Sequence, residues 1–184
     1  MLLVLSGPSG VGKGTLAARL VAREPGWWQS VSCTTRAPRP GEVEGVHYHF
    51  VGRAQFEAQR AAGGFLESFA VFDDLYGTPR APVEEHLAAG DDVLLEIDVQ
   101  GALAVRDAFP DAVLVFVRAP SHEELRRRLV GRRRGPADDL DARLAAAAEE
   151  EARAPEFDAV VVNDDVDAAV GRLAGILAGR RPAS

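Results

Sequence analysis

The sequence predicts an α/β fold in which a mostly parallel sheet is flanked by helices. Three observations carry that expectation. Short apolar runs recur at residues 2–5, 113–117 and 159–162, each of a length suited to one strand of a buried sheet. Segments with apolar side chains at helical spacing accompany them, beginning with Leu16, Ala17, Leu20 and Val21. The first run also passes through a glycine-rich loop directly into that first helix, the order strand, loop, helix. At 184 residues the chain is long enough for one domain with excursions and a sizeable core.

The loop reads Gly7-Pro8-Ser9-Gly10-Val11-Gly12-Lys13-Gly14-Thr15. Glycines let backbone N–H groups turn inward around a polyphosphate, and the following helix points its positive end at the same anion. This is the context of a phosphate-binding P-loop, with Lys13 as a point charge for β- and γ-phosphates. Gly7, Pro8, Ser9, Gly10, Val11, Gly12, Lys13, Gly14 and Thr15 are therefore expected to line ATP. Lys13 is the only lysine among 21 basic residues, so the composition turns basic positions into arginine everywhere except inside the loop. A planar guanidinium would not enter a backbone cradle as a compact ammonium does. The loop departs from the usual pattern at Gly14, where Ser or Thr would put a hydroxyl on Mg²⁺. Thr15 offers a hydroxyl one residue later, which leaves open whether a loop side chain meets the metal directly.

Composition narrows the class. A hydrophobic content of 47% is that of an ordinary folded protein, and a net charge of −7 argues against general nucleic-acid binding. Local arginine clusters within an acidic chain suit a small anionic ligand better than a polyanion. One cysteine, Cys33, excludes an internal disulfide, and the four histidines show no metal-ligand spacing. No stretch approaches a membrane span, and the 2–5 run is too short for a signal-peptide core. Cytoplasm is the expected compartment, with neither membrane nor nucleic acid as a partner.

The first helix should end near Arg23, with Glu24-Pro25-Gly26 as a turn and 27–31 as a second strand that packs Trp27 and Trp28. Residues 32–42 follow as Ser-Cys-Thr-Thr-Arg-Ala-Pro-Arg-Pro-Gly-Glu, then Gly45 to Phe50. Prolines and glycines exclude a helix here. The loop presents the hydroxyls of Ser32, Thr34 and Thr35 beside Arg36 and Arg39. Such a set suits a monophosphate or carboxylate, because arginine forks are bidentate to oxyanions.

The pattern Ser32-x-Thr34-Thr35-Arg36-x-Pro38-Arg39-x-Gly41-Glu42, followed by Gly45-x-x-Tyr48-x-Phe50, resembles the GMP-binding segment of guanylate kinases. With the P-loop upstream, the likeness covers nearly the whole chain. It implies a P-loop NTPase fold with an inserted GMP-binding module and a lid. A short helix around Gln55 and Phe56, closed by Gly63-Gly64, then precedes a strand at 65–69. Glu67 lies there between apolar neighbours, where a carboxylate needs a reason. Guanine offers two parallel donors, N1–H and N2–H₂, that a carboxylate accepts together; adenine offers an acceptor at N1. The resemblance puts a guanine-reading Glu at this position. It also implies that the hydroxyls of Tyr76 and Thr78 face the nucleotide, so that GMP binding involves Ser32, Arg36, Arg39, Tyr48, Glu67, Tyr76, Thr78 and Glu96.

In the run from Asp91 to Gly101, Val93, Leu95 and Ile97 alternate on one face, and Leu94, Glu96 and Asp98 share the other. Acidic residues near the carboxyl end of such a strand lie where α/β sheets bind ligands. Asp98 is the expected metal-side acid, meeting Mg²⁺ through water, with Glu96 near the GMP. Beyond the strand at 113–117, Ser121 and Glu124 form a capping box for a helix to Val130, and residues 138–153 are helical again. The glycine-bounded arginines between them have the setting of a lid. The resemblance maps Arg132 and Arg143 to arginines that close over ATP, and leaves Arg133 and Arg134 as bystanders. It places Asn163, after the last strand, near the adenine; a final helix starts at about Val166.

The implied layout is a single domain, 1–184, with its core at 1–31, 83–120 and 154–184, a GMP-binding module at 32–82 and a lid at 121–153. The implied activity is ATP-dependent phosphorylation of GMP, and of dGMP, with Mg²⁺ accompanying ATP. A phosphate monoester oxygen is already largely ionised near pH 7, so in-line attack needs no general base. Catalysis reduces to positioning and charge neutralisation by Lys13, Arg36, Arg39, Arg132 and Arg143. Closing module and lid over both nucleotides would exclude water. Three other readings share parts of the pattern. A sugar-phosphate kinase has no use for Glu67 facing a base. A nonenzymatic guanylate-kinase-like interaction module needs no intact P-loop, and an adenylate-type kinase does not explain residues 32–50. Oligomeric state is not legible.

Overall fold

The computed structural model describes residues 1–71, 73–131 and 140–180. The chain runs β1 (Leu2–Ser6), α1 (Lys13–Arg23), β2 (Trp27–Gln29), β3 (Cys33–Thr34), β4 (His49–Phe50), α2 (Arg53–Ala61), β5 (Phe65–Val71), β6 (Asp74–Pro79), α3 (Arg80–Ala89), β7 (Asp92–Glu96), α4 (Val99–Ala108), β8 (Val113–Arg118), α5 (His122–Gly131), α6 (Leu140–Ala152), β9 (Ala159–Val162) and α7 (Val166–Ala178). One sheet has the strand order β2-β7-β1-β8-β9, and its β2–β7 and β8–β9 ladders are parallel. A second sheet, β4-β3-β6-β5, is antiparallel at β3–β6 and β5–β6. No helix among the described residues is long and apolar enough to cross a membrane.

The chain divides into two compact units. The first comprises Met1–Leu3, Gly26–Leu95 and Gln100–Ala112. It holds the second sheet, whose small core is Cys33, Phe56, Phe65 and Leu75 with Val51 packed on it. Phe56 and Phe65 stack with ring centroids 4.5 Å apart, which ties α2 to β5. Trp28 stacks on His86 at 4.0 Å, so the tryptophan pair belongs to packing, with Trp27 buried beside it.

The second unit comprises Val4–Pro25, Glu96–Val99 and Val113–Ser184. Strand β8 is buried from Val113 to Val117, as befits a strand with helices on both faces. α1 presents Leu16, Ala17 and Leu20 to the core, and α7 presents Ala169, Val170, Leu173 and Leu177. Asp165 caps α7 by accepting from Ala168 N–H at 2.9 Å, which satisfies one of the orphan amides of the first turn.

Four details differ from the sequence reading. β7 stops at Glu96, so Ile97 and Asp98 of the alternating run lie beyond it, and Val93, Leu94 and Leu95 are all fully buried because both faces of the strand are covered. The β-structure at 27–31 stops at Gln29. Helices α3 and α4 were not read from the sequence. α3 buries only Val83 completely, whereas α4 buries Val99, Ala102 and Val105, mostly small side chains interrupted by Gln100 and Gly101. The capping box at α5 is half made. Ser121 accepts from Glu124 N–H at 3.1 Å, but the Glu124 carboxylate is engaged by Arg127 and Arg128, each at 2.7 Å.

Candidate active site

In the second unit, residues 7–15 turn from β1 into α1. Gly7 sits at φ 132°, and a Cβ there would lie 2.2 Å from the Val117 carbonyl oxygen, so only glycine lets the loop pass β8. Gly12, at φ 93°, precedes α1, and a Cβ on it would lie 2.5 Å from Asn163 Nδ2. Lys13 Nζ donates to the carbonyl oxygens of Gly7 and Pro8, folding the ammonium over the loop it belongs to. The Val11 carbonyl is held from two sides: Asn163 Nδ2 donates at 2.7 Å and Arg128 Nη1 at 3.2 Å. Arg128 Nη2 also donates to the Asn163 carbonyl at 3.0 Å, which closes a strut from α5 through the end of β9 to the loop. Asn163 is thus engaged with the loop backbone through its amide nitrogen.

The acids of this unit gather near the same loop. A Cβ on Gly14 would meet Glu96 Oε2 at 3.2 Å and Oε1 at 3.4 Å. The space that a Ser or Thr side chain would fill at position 14 is therefore bordered by the Glu96 carboxylate. Asp98 stands two residues past the end of β7, just before α4. Both Lys13 and Asp98 act electrostatically on Glu150 of α6, which puts the three in one neighbourhood. Burial pushes the Glu150 carboxyl above the ordinary range, with Asp98 adding to the rise and Lys13 opposing it. Its Oε2 is buried with no hydrogen-bond partner among the described residues. Arg143, also on α6, donates to Ser9 Oγ at 3.0 Å, so the structure brings this predicted arginine to the loop. Thr15 is exposed on the first turn of α1. Arg132, with Arg133 and Arg134, lies outside the described residues.

In the first unit, Arg36 and Glu42 meet fork to fork: Nη1 donates to Oε2 and Nη2 to Oε1, both at 3.0 Å. Arg36 Nη1 also donates to the Ala37 carbonyl at 2.7 Å, and Nε donates to the Tyr76 hydroxyl at 3.2 Å. Its guanidinium carbon lies 5.5 Å from the Tyr48 ring centroid, and the Tyr48 and Tyr76 rings meet edge to face at 5.9 Å. Burial of Glu42 works against its charge, yet the Arg36 fork and the Arg39 N–H hold its pKa below the ordinary carboxylate value. The Arg39 side chain is exposed. Two of the loop hydroxyls serve the backbone: Thr34 Oγ1 accepts from Arg36 N–H at 3.2 Å, and Thr35 Oγ1 from Leu75 N–H at 2.9 Å. Ser32, half-buried, accepts His49 N–H through its carbonyl at 2.9 Å.

Glu67 is buried on β5 and pairs in register with Thr78 on β6. The fully buried Thr78 hydroxyl donates to Glu67 Oε1. Gly77 beside it has no room for a side chain without displacement: a Cβ would lie 3.0 Å from Phe65 Cδ1 and 3.1 Å from the Glu67 carbonyl oxygen. The strand pair therefore fixes a buried carboxylate that the Thr78 hydroxyl helps orient.

Comparison with known proteins sets these features in a family. The guanylate kinase family model matches residues 1–179. A guanylate kinase of Synechococcus sp. (strain CC9902) is 57% identical over 172 residues, 94% of this chain and 92% of that one. One of Gloeobacter violaceus is 51% identical over 176 residues, covering 96% and 86%. The crystal structure of guanylate kinase from Anaplasma phagocytophilum superposes with a TM-score of 0.84 at 36% identity, covering 100% of this chain and 87% of that one. The chain belongs to the guanylate kinase family.

As a guanylate kinase family member the chain has an α/β P-loop kinase fold and the chemistry of nucleotide-dependent phosphoryl transfer. Three residues near these sites escaped the sequence reading. Arg128 belongs to an arginine cluster to which the sequence gives no individual role; its spacing of four from Glu124 was the available signal. Glu150 looked like part of the acidic stretch 149–151, and nothing in that stretch marks which carboxylate is buried. Glu42 was visible as part of the motif but carried no role.

Proposed function

We propose that this chain transfers the γ-phosphoryl group of ATP to the phosphate of GMP, and of dGMP, yielding the diphosphate and ADP. The observation that carries the reading is the buried Glu67 carboxylate, oriented by Thr78 on a strand pair of the first unit. A fixed, buried acceptor of that kind suits the paired N1–H and N2–H₂ donors of guanine and disfavours adenine. In this reading Arg36, Arg39, Tyr48, Tyr76 and Ser32 receive the GMP phosphate, and Thr78 and Glu96 complete the GMP set. Residues 7–15 cradle the ATP phosphates, Lys13 leaving the Gly7 and Pro8 carbonyls for them, and Asn163 borders the adenine side. Arg143 and Arg132 neutralise charge on the transferring group.

ATP is used with Mg²⁺, which polarises the phosphoryl oxygens when bound. Asp98 is the side chain assigned to it, through water; a magnesium ion typically keeps several waters and takes one or two carboxylates besides phosphate oxygens. The acceptor oxygen is ionised at neutral pH, so the chain's residues position and neutralise rather than abstract a proton. Residues 32–82 form the GMP-binding module and 121–153 the lid, on a core of 1–31, 83–120 and 154–184. The setting is the cytoplasm, without membrane or nucleic acid. The test is ADP formation from ATP with GMP, dGMP, AMP, IMP and ribose phosphates as acceptors. GMP and dGMP should support turnover, with AMP and the ribose phosphates near background. Preference for a sugar phosphate, or for AMP, would overturn the reading.

A further inference from the structure

We propose that Glu42 is a positioning residue for the acceptor phosphate: it holds one edge of the Arg36 guanidinium and thereby presents the other edge, with the Tyr76 hydroxyl, to the oxyanion. The proposal rests on the GMP reading above and adds a residue to it.

A guanidinium has five N–H donors in a plane. In Arg36 both Nη1 protons are taken, by Glu42 Oε2 and the Ala37 carbonyl, and one Nη2 proton goes to Glu42 Oε1. What remains is the Nε–Nη2 edge, where Nε meets the Tyr76 hydroxyl and the second Nη2 proton has no partner among the described residues. The tyrosine oxygen accepts from Nε, so its own proton stays available to donate. An oxyanion on this side meets Nη2–H, the tyrosine O–H and, on displacing that oxygen, Nε–H. Without a carboxylate on the opposite edge the guanidinium could rotate and offer any edge.

Glu42 is itself fixed. Arg39-Pro40-Gly41-Glu42 is a β-turn in which Glu42 N–H donates to the Arg39 carbonyl at 3.0 Å, with proline second and Gly41 at φ 85° third. The side chain folds back so that Oε2 also accepts Arg39 N–H at 2.7 Å. One carboxylate thus joins both phosphate-side arginines, Arg36 by its side chain and Arg39 by its backbone. A carboxylate held by its own turn is a strut and not a gate that swings away when phosphate arrives.

The test compares a ligand carrying the phosphate with one lacking it. Wild type, Glu42→Gln and Glu42→Asp are assayed for the KM of GMP, the Ki of guanosine as competitor, and the KM of ATP. Glu42→Gln puts an amide N–H₂ where an acceptor is needed. Its KM for GMP should rise at least tenfold, by more than kcat falls, while guanosine Ki and ATP KM stay within twofold. Glu42→Asp keeps the charge but shortens the reach, and should show the same split at smaller size; it reads the proposal should the glutamine variant not fold. A KM for GMP that is unchanged or lower would overturn the proposal and make Glu42 a rival of the phosphate. A parallel rise in guanosine Ki would overturn it too, reducing Glu42 to a support of the whole unit. Failure of the underlying GMP reading shows differently, as a wild type that does not turn over GMP.

Discussion

Glu67 is a carboxylate with 8% of its surface exposed, and its burial is compatible with the fold only if the group is hydrogen-bonded. Thr78 supplies one such bond, and the guanine edge is proposed to engage the carboxylate further. Replacing Glu67 by Gln turns one acceptor into a donor aimed at a donor. The expected cost in kcat/KM for GMP is about 2–5 kcal/mol, from a lost charge-assisted bond and an unsatisfied buried group. IMP lacks the 2-amino group and should lose proportionately less, so the GMP/IMP ratio narrows in the mutant; an unchanged ratio would remove Glu67 from base reading. Cys33 gives a second test at this scale. Burial, aided by the nearby charge of Glu44, pushes its thiol up to about 11. A raised value means that the neutral thiol is favoured by folding: the contribution is complete below the unfolded pKa of about 8.5 and is lost as the pH climbs towards 11. Iodoacetamide at pH 8 should therefore modify the folded protein at least about 100-fold more slowly than the urea-unfolded chain. Comparable rates would place Cys33 outside the small core.

At the scale of elements, the P-loop is shaped by what surrounds it. Asn163, at the end of β9, ties Val11 to the rest of the second unit, and α5 adds Arg128 to the same carbonyl. Asn163→Ala removes the buried donor and leaves Val11 with the longer bond alone. It should lower thermal stability by about 1–3 kcal/mol and raise the KM for ATP more than that for GMP. Equal effects on both KM values would detach Asn163 from the loop. Arg143 on α6 reaches Ser9, so Arg143→Ala should reduce kcat about tenfold or more with little change in stability, as expected for a charge used in the transition state. A variant with normal kcat would exclude Arg143 from the phosphoryl-transfer machinery. Much of this was legible in the sequence, and the reasons differ by element. Strong local rules marked β1, α1, β8, β9 and α7: continuous apolar runs, helical spacing, and glycines before a lone lysine. α3 was not legible because its fully buried face is a single Val83, and α4 because its buried face is built of small side chains beside Gln100 and Gly101. The strut of Arg128 and Asn163 was hidden for another reason: the two residues are 35 positions apart, and only the fold brings a guanidinium to that carbonyl. Glu96 beside the open side of Gly14 is similar, since only the fold brings the end of β7 to the start of α1.

At the scale of the whole molecule, the chain is a guanylate kinase family member, and each unit holds its own set of candidate site residues. The second unit holds a lysine-bearing phosphate loop braced from two sides. The first holds the Glu67 carboxylate, proposed to read the base, and the Arg36 guanidinium, one edge of which is held by Glu42. On the proposed reading these bind the phosphoryl donor and the acceptor, and the direct test follows both nucleotides in one tube. Phosphorus NMR of wild-type protein with ATP, GMP and Mg²⁺ reads every phosphate at once. GDP and ADP should grow in equal amounts, with inorganic phosphate at background. Release of inorganic phosphate in place of GDP, or no loss of ATP at all, would contradict the assignment of this chain to GMP phosphorylation.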